Sequence, residues 1–250
     1  MNELVWQAPL LASVGLVAGI LNVLAGGGSL LTLPVLLFMG LPAATANGTN
    51  RVAIFVQNIF AIGGFRKQGV FPWRIALLCT APALLGAWFG ANLAVDIDDQ
   101  LFKRLLALIM LAVLVFTAWD PLRRMHQSEP KLTPLRLLVL AVSFFIVGVY
   151  GGFVQAGVGF IVISALLAHG LDLVRINAIK VIVIFFFTMV ALAVFIAHGQ
   201  VDWGLGLSLA VGNAIGGWIG THIAVKKGHD WIKRIVSLTV VIFALKLLFG

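Results

Sequence analysis

The chain has 250 residues, 61% of them hydrophobic and 10% charged, with a mean hydropathy of +1.09. A soluble domain carries about 25% charged residues and roughly 45–50% apolar ones, so the composition excludes a soluble enzyme and points to an integral membrane protein of a single transmembrane domain, residues 1–250. The formal charge of +8 does not signal nucleic acid, because the basic residues sit in short loops between apolar runs, as cytoplasmic loops do.

A span needs about 20 apolar residues. In chain order the apolar runs predict segments at 8–25, 28–40, 45–65, 73–95, 101–119, 136–154, 158–169, 178–197, 204–225 and 235–249. The first run lacks a basic leader and reads as a retained span. Segments 28–40 and 158–169 follow Gly26-Gly27-Gly28 and Gly157-Val158-Gly159. Each is about 12 residues long and rises only ~18 Å as helix, which suits a half-helix or a re-entrant piece. Such broken backbone is tolerated at membrane depth only where protein buries it or it lines a wet cavity. Between 101–119 and 136–154 lies the longest polar connection, a linker at about 120–136. The lone Cys79 lies in an apolar segment, which excludes a disulfide framework and reads as a small buried apolar residue.

Loop charge sets the sides. Loops 66–74, 120–136 and 226–234 are basic and read as cytoplasmic, whereas 96–100, with three aspartates, and 198–202 read as external. Both termini then fall outside.

The chain resembles itself at an offset of 130 residues. Gly40-Leu41 matches Gly170-Leu171, Asn47 matches Asn177, and Ile54-Phe55 matches Ile184-Phe185. Gly69 and Trp73 match Gly199 and Trp203, and Gly86, Trp88 and Gly90 match Gly216, Trp218 and Gly220. Ala94-Val95 matches Ala224-Val225, Lys103-Arg104 matches Lys233-Arg234, and one residue of slippage pairs the two glycine breaks. The pattern predicts an all-α polytopic fold of two pseudo-symmetric repeats, about 8–120 and about 137–250, with 8 to 10 membrane segments including broken or re-entrant helices. Corresponding loops have opposite charge character, which favours inverted over parallel repeats.

Three consecutive glycines cost about 1 kcal/mol each in a helix. Gly26, Gly27 and Gly28 therefore predict an unwound stretch and a new helix start near Ser29, whose free N–H groups favour an anion. Gly157 and Gly159, preceded by Gln155, form the partner break. For Gly86, Gly90, Gly216, Gly217 and Gly220 close helix packing is the competing reading.

A polar knot follows in each half: Asn47, Thr49, Asn50 and Arg51, continued by Gln57 and Asn58, and then Asn177 and Lys180. A charge near the bilayer centre costs about 2.5–3.5 kcal/mol even on the mild insertion scale. Either the two cations snorkel to an interface, or they line a polar cavity. With no carboxylate near them in sequence except Asp172, cations in a cavity would seek an anionic ligand. Asn22 and Asn213 read equally as packing amides or as ligands. Trp73, Trp88, Trp203 and Trp218 fit an interfacial belt. His169, His198 and His222 read as loop histidines.

No nucleotide-binding, paired-carboxylate or metalloenzyme motif is present, so the residues call for no enzyme, no cofactor and no metal. Partners are a small anionic substrate and the lipid bilayer, with no nucleic acid, and a homo-oligomer stays open. A channel with the same lining, or a membrane-embedded enzyme or assembly subunit, are the alternatives to a carrier.

The run Gly26-Gly27-Gly28-Ser29-Leu30-Leu31 to Pro34, then Gly40-Leu41-Pro42 and Asn47-Gly48-Thr49-Asn50, resembles the first repeat of the TauE/SafE sulfite exporter family. Members carry a Gly-rich break, a Pro-Leu-Leu run and a Gly-Thr-Ser element. Asn177 to Lys180, Gly199 to Trp203 and Gly216 to Gly220 are similar to its second half. The resemblance implies a multi-pass permease of the inner membrane for sulfite, sulfonates or related organic anions. Asn50 stands where serine is usual, and the second half carries Ala178-Ile179-Lys180 in place of Gly-Thr-Ser.

Overall fold

The computed structural model describes residues 2–119, 133–167, 171 and 173–227. The linker 120–132, the predicted span 235–249, and Gly170, His169, Asp172, Lys233 and Arg234 lie outside the described residues.

Among the described residues the chain forms nine helices: α1 (Asn2–Ala25), α2 (Ser29–Phe38), α3 (Ala43–Lys67), α4 (Trp73–Val95), α5 (Asp99–Trp119), α6 (Pro134–Phe153), α7 (Val158–Leu167), α8 (Leu173–Ala197) and α9 (Trp203–Lys227). Four of them, α1 from Trp6, α4, α6 and α8, are long and apolar enough to cross a membrane, while α2 and α7 have ten residues each. The predicted segment 73–95 agrees with α4 at both ends. The segment predicted at 178–197 begins five residues earlier, at Leu173, because Arg175 and Asn177 depress the apolar signal of a turn that is helical all the same.

The helix starts follow from their capping residues. Thr133 accepts a hydrogen bond from the Arg136 N–H and Pro134 fills the first helical position, both favoured there. Asp202 accepts from the Leu205 N–H at 2.9 Å at the start of α9. Pro42 offers no side-chain cap to α3, and Asp99 of α5 supplies one instead, accepting from the Ala43 N–H at 2.8 Å.

Helix boundaries echo the 130-residue offset: α3 and α8 have 25 residues each and begin at Ala43 and Leu173, and α4 and α9 begin at Trp73 and Trp203. Packing echoes it too. The first helix of each half lies against the fourth helix of the other, α1 on α9 and α6 on α4. Both pairs close through small residues. A β-carbon on Gly86 or Gly90 would overlap the Phe145 or Val149 carbonyl of α6. One on Gly216 would overlap the Leu16 carbonyl of α1, and Gly217 and Gly220 meet Gln57 and Val23. These five glycines are therefore packing positions, as small residues in membrane helices are. Between the two pairs α3 touches α8, with Phe55 and Phe185 stacked at a ring separation of 5.0 Å. Leu85, Leu93, Ile146, Val211 and Ile215 face outward with Trp73, Trp88 and Trp203, the surface a lipid solvent requires.

The α4–α6 contact gives a direct test. Gly90→Ala is expected to lower the melting temperature of the purified protein, at a cost of about 1–3 kcal/mol. Gly63→Ala, whose β-carbon would meet only the Trp218 ring at 3.8 Å, is expected to be neutral or stabilising in the same melt.

Candidate functional site

Both predicted breaks are real, and they meet. α1 ends at Ala25 and α2 starts at Ser29. Gly26 turns the chain with φ +80°, and Gly157 does the same between α6 and α7 with φ +71°, a backbone region that favours glycine. A β-carbon on Gly26 would overlap the Gly159 backbone, and one on Gly159 would overlap Gly26. Gly27 lies under the Phe160 ring, and Gly28 against the Ala18 carbonyl and Asn22. The two breaks are thus in backbone contact at the middle of the protein.

A broken helix leaves its last carbonyls without partners, and in an apolar surrounding each costs energy. The buried cations answer this across the halves. Arg51 of α3 donates from Nη1 to Gly151 O at 3.0 Å and from Nη2 to Gly152 O at 2.5 Å. Asn47, one turn earlier on the same face, donates from Nδ2 to Phe153 O at 2.7 Å and accepts from Arg51 Nη2 at 3.5 Å. Three successive carbonyls at the end of α6 are held by one α3 face, and the Phe195 ring lies 4.9 Å from the guanidinium carbon.

In the other half Lys180 Nζ donates to Val23 O at 2.8 Å and to Asn177 Oδ1 at 2.6 Å. Asn177 Nδ2 donates to Leu24 O at 3.5 Å. These are the closing carbonyls of α1. Arg51 and Lys180 are both 0% exposed, so neither snorkels. Both sit where the negative end of a helix dipole favours a cation.

The rest of the α3 knot points elsewhere, because successive helical residues lie about 100° apart. Thr49 Oγ1 accepts from the Asp202 N–H at 2.9 Å, and Gly48 packs under the Gln200 carbonyl, both at the start of α9. Asn50 faces α2: its Nδ2 donates to Ser29 Oγ at 3.2 Å and its Oδ1 accepts from Thr32 at 2.6 Å. Two turns on, Gln57 Oε1 accepts from Asn22 Nδ2 at 3.2 Å. In the second break Gln155 Nε2 donates to Thr188 Oγ1 at 2.6 Å, and the Tyr150 hydroxyl donates to Ala156 O at 2.5 Å. The predicted site residues therefore gather around the breaks, with Thr49 set apart on the α9 side. Thr188 is absent from the sequence-based set, yet the repeat marks it, since it matches Asn58 at the 130-residue offset.

Several buried atoms keep no partner: Arg51 Nε, Asn58 Nδ2, Gln155 Oε1 and both amide atoms of Asn213. The α2 N-terminus has no side-chain cap. His198, just past α8, hydrogen-bonds the Val194 carbonyl, whereas His222 lies within α9 and not in a loop, against the Trp218 carbonyl, the Trp218 ring at 5.5 Å and Thr221.

Apolar helices around two meeting breaks, with a buried cation and amide in each half, are the architecture of a membrane transporter. The sulfite exporter TauE/SafE family model matches residues 11–247, and the chain belongs to that family. Among its relatives a probable membrane transporter protein of Haemophilus influenzae is 28% identical over 96% of this chain and 94% of its own. One of Xylella fastidiosa is 30% identical over 94% and 92%, and the probable membrane transporter protein YfcA of Escherichia coli K12 is 25% identical over 99% and 93%. No solved structure matches the chain.

Arg51→Gln is expected to strand the Gly151 and Gly152 carbonyls at about 1–3 kcal/mol each. In a double-mutant cycle with Asn47→Leu, melting should return a coupling of about 0.5–3 kcal/mol. Strict additivity would contradict a shared cap on α6.

Proposed function

We propose that this transporter is a secondary carrier of small sulfur-containing or organic anions such as sulfite or sulfonates, driven by the proton gradient across the inner membrane, and not an enzyme. One observation carries the reading: after the helix ends are satisfied, the site keeps a surplus of donors. Arg51 Nε has no partner. Lys180 holds two acceptors with the three N–H groups of an ammonium. At the helix starts Leu30, Leu31 and Phe160 already donate to the Gly27, Gly28 and Gly157 carbonyls, so the backbone donors left for an anion are the N–H groups ahead of them in the two breaks. A small oxyanion matches that surplus, and half-helix N-termini are where carriers hold anionic groups. Arg51 and Lys180 supply charge. Gly26, Gly27, Gly28, Ser29, Gly157 and Gly159 supply backbone, and Asn47, Asn50, Gln57, Gln155 and Asn177 orient the ligand, with Thr49 behind them. Gln155 can present either end of its amide, since a threonine hydroxyl both donates and accepts.

We read the two halves as inverted repeats, each lending a break and a cation to one shared site. The 130-residue match of helix starts and the reciprocal packing of α1 on α9 and α4 on α6 support a two-fold relation, and opposite loop charge supports the inversion.

Uptake of labelled sulfite, sulfonates and carboxylates into liposomes tests the anion reading. Arg51→Gln and Lys180→Gln are each expected to reduce flux at least tenfold, the effect of about 1.4 kcal/mol. Unchanged flux and affinity in both variants would sink it, and single-channel currents would indicate a pore. Single cysteines placed at Asp98 and Lys227, in a Cys79→Ala background, should be labelled from opposite sides; labelling from one side rejects inversion.

A further inference from the structure

The two cations differ in one chemical respect: a guanidinium keeps its charge in a protein, whereas an ammonium can release a proton. Lys180 Nζ makes two hydrogen bonds, to Val23 O and Asn177 Oδ1, both neutral acceptors. An ammonium has three N–H groups and a neutral amine two. One proton can therefore leave Lys180 without breaking either hydrogen bond.

No nearby carboxylate pins the charge. The titratable and charged groups on the helices packed against α8 are Glu3 of α1, Arg51, Arg66 and Lys67 of α3, Arg74 and Cys79 of α4, Arg136 and Tyr150 of α6, and His222, Lys226 and Lys227 of α9, with Arg175 on α8 itself. The one carboxylate among them, Glu3, stands in the first turn of α1, about 30 Å along the helix from Val23. The described aspartates Asp96, Asp98, Asp99 and Asp202 stand at helix ends. The place is also telling. Unwound carbonyls and half-helix C-terminal ends are where carriers coordinate a coupling cation, and here the Val23 carbonyl holds the protein's own nitrogen.

We propose that Lys180 carries the coupling proton, so that one proton crosses with each anion; this rests on the anion reading above. Lys180 is an ammonium while the anion occupies the site. After the anion leaves, the ammonium passes its third proton to water on the side of release and the empty site returns with a neutral amine. Water on the opposite side then returns a proton before the next anion enters. Over the cycle a monoanion and a proton cross together and no net charge moves. The neutral return avoids carrying an unpaired ammonium through an apolar interior. Arg51 stays charged throughout.

Liposomes containing the purified chain, with labelled sulfite as probe, read the coupling as an accumulation ratio under an imposed pH gradient. Wild type is expected to accumulate about tenfold for each unit of gradient. Lys180→Arg, at whatever reduced rate, is expected to equilibrate sulfite with no gradient-driven excess. Gradient-driven accumulation by Lys180→Arg equal to wild type overturns the proposal and leaves the anion reading standing. A second measurement needs no substrate. In nanodiscs with 13Cε-labelled lysine, the signal missing from Lys180→Arg or Lys180→Gln is expected to move with the pH of the medium before any anion is added. A Lys180 signal that never moves overturns the proposal even where liposomes take up no sulfite.

Discussion

The fold depends on the closing carbonyls of two helices that stop inside the protein. α1 and α6 end at Ala25 and Phe153 in surroundings too apolar to leave those oxygens bare. The solution is reciprocal: α3 closes the end of α6, and α8 closes the end of α1. Neither half can satisfy its own broken helix, so the halves are held together by the same bonds that make the breaks tolerable. The small residues on α4, α6, α9 and α1 then bring the outer pairs close enough for those bonds to form.

This explains how two buried charges can persist without a carboxylate. A helix C-terminus carries about half a negative charge, and charge-assisted hydrogen bonds are roughly twice as strong as neutral ones. A cation set on that end offsets much of its own desolvation. It also leaves the site electropositive, because half a charge does not cancel a whole one. An aspartate partner would have removed that excess.

The sequence disclosed the breaks and the cations because both violate their surroundings: closely spaced glycines do not favour continuing a helix, and Arg51 and Lys180 interrupt apolar runs. Their partners were not legible, since a carbonyl acceptor is present at every residue and no letter marks it. The division of the α3 knot was legible in principle. Asn47 and Arg51 are four apart and share a face, whereas Asn50 and Thr49 fall on others. Reading the knot as one polar patch ignored that helical spacing. The helix start at Trp73 was legible from the apolar pattern and that at Trp203 to within one residue, but Leu173 was not, because Arg175 and Asn177 make the first turn of α8 look like loop.

The two caps also show why matched positions need not carry matched residues. Asn47 and Asn177 lie 130 residues apart, but the cation follows at the fourth residue in one half and at the third in the other. The guanidinium is a planar fork, and from one turn away it reaches two successive carbonyls, Gly151 and Gly152. The ammonium is a point donor, and it takes one carbonyl, Val23, while Asn177 takes the next. Exchanging the two residues would misfit both ends: a lysine at 51 would leave one α6 carbonyl bare, and an arginine at 180 would bring a second branch of the fork to an end where Asn177 already meets Leu24. The asymmetry of charge chemistry within the site is therefore built into how many carbonyls each helix end exposes.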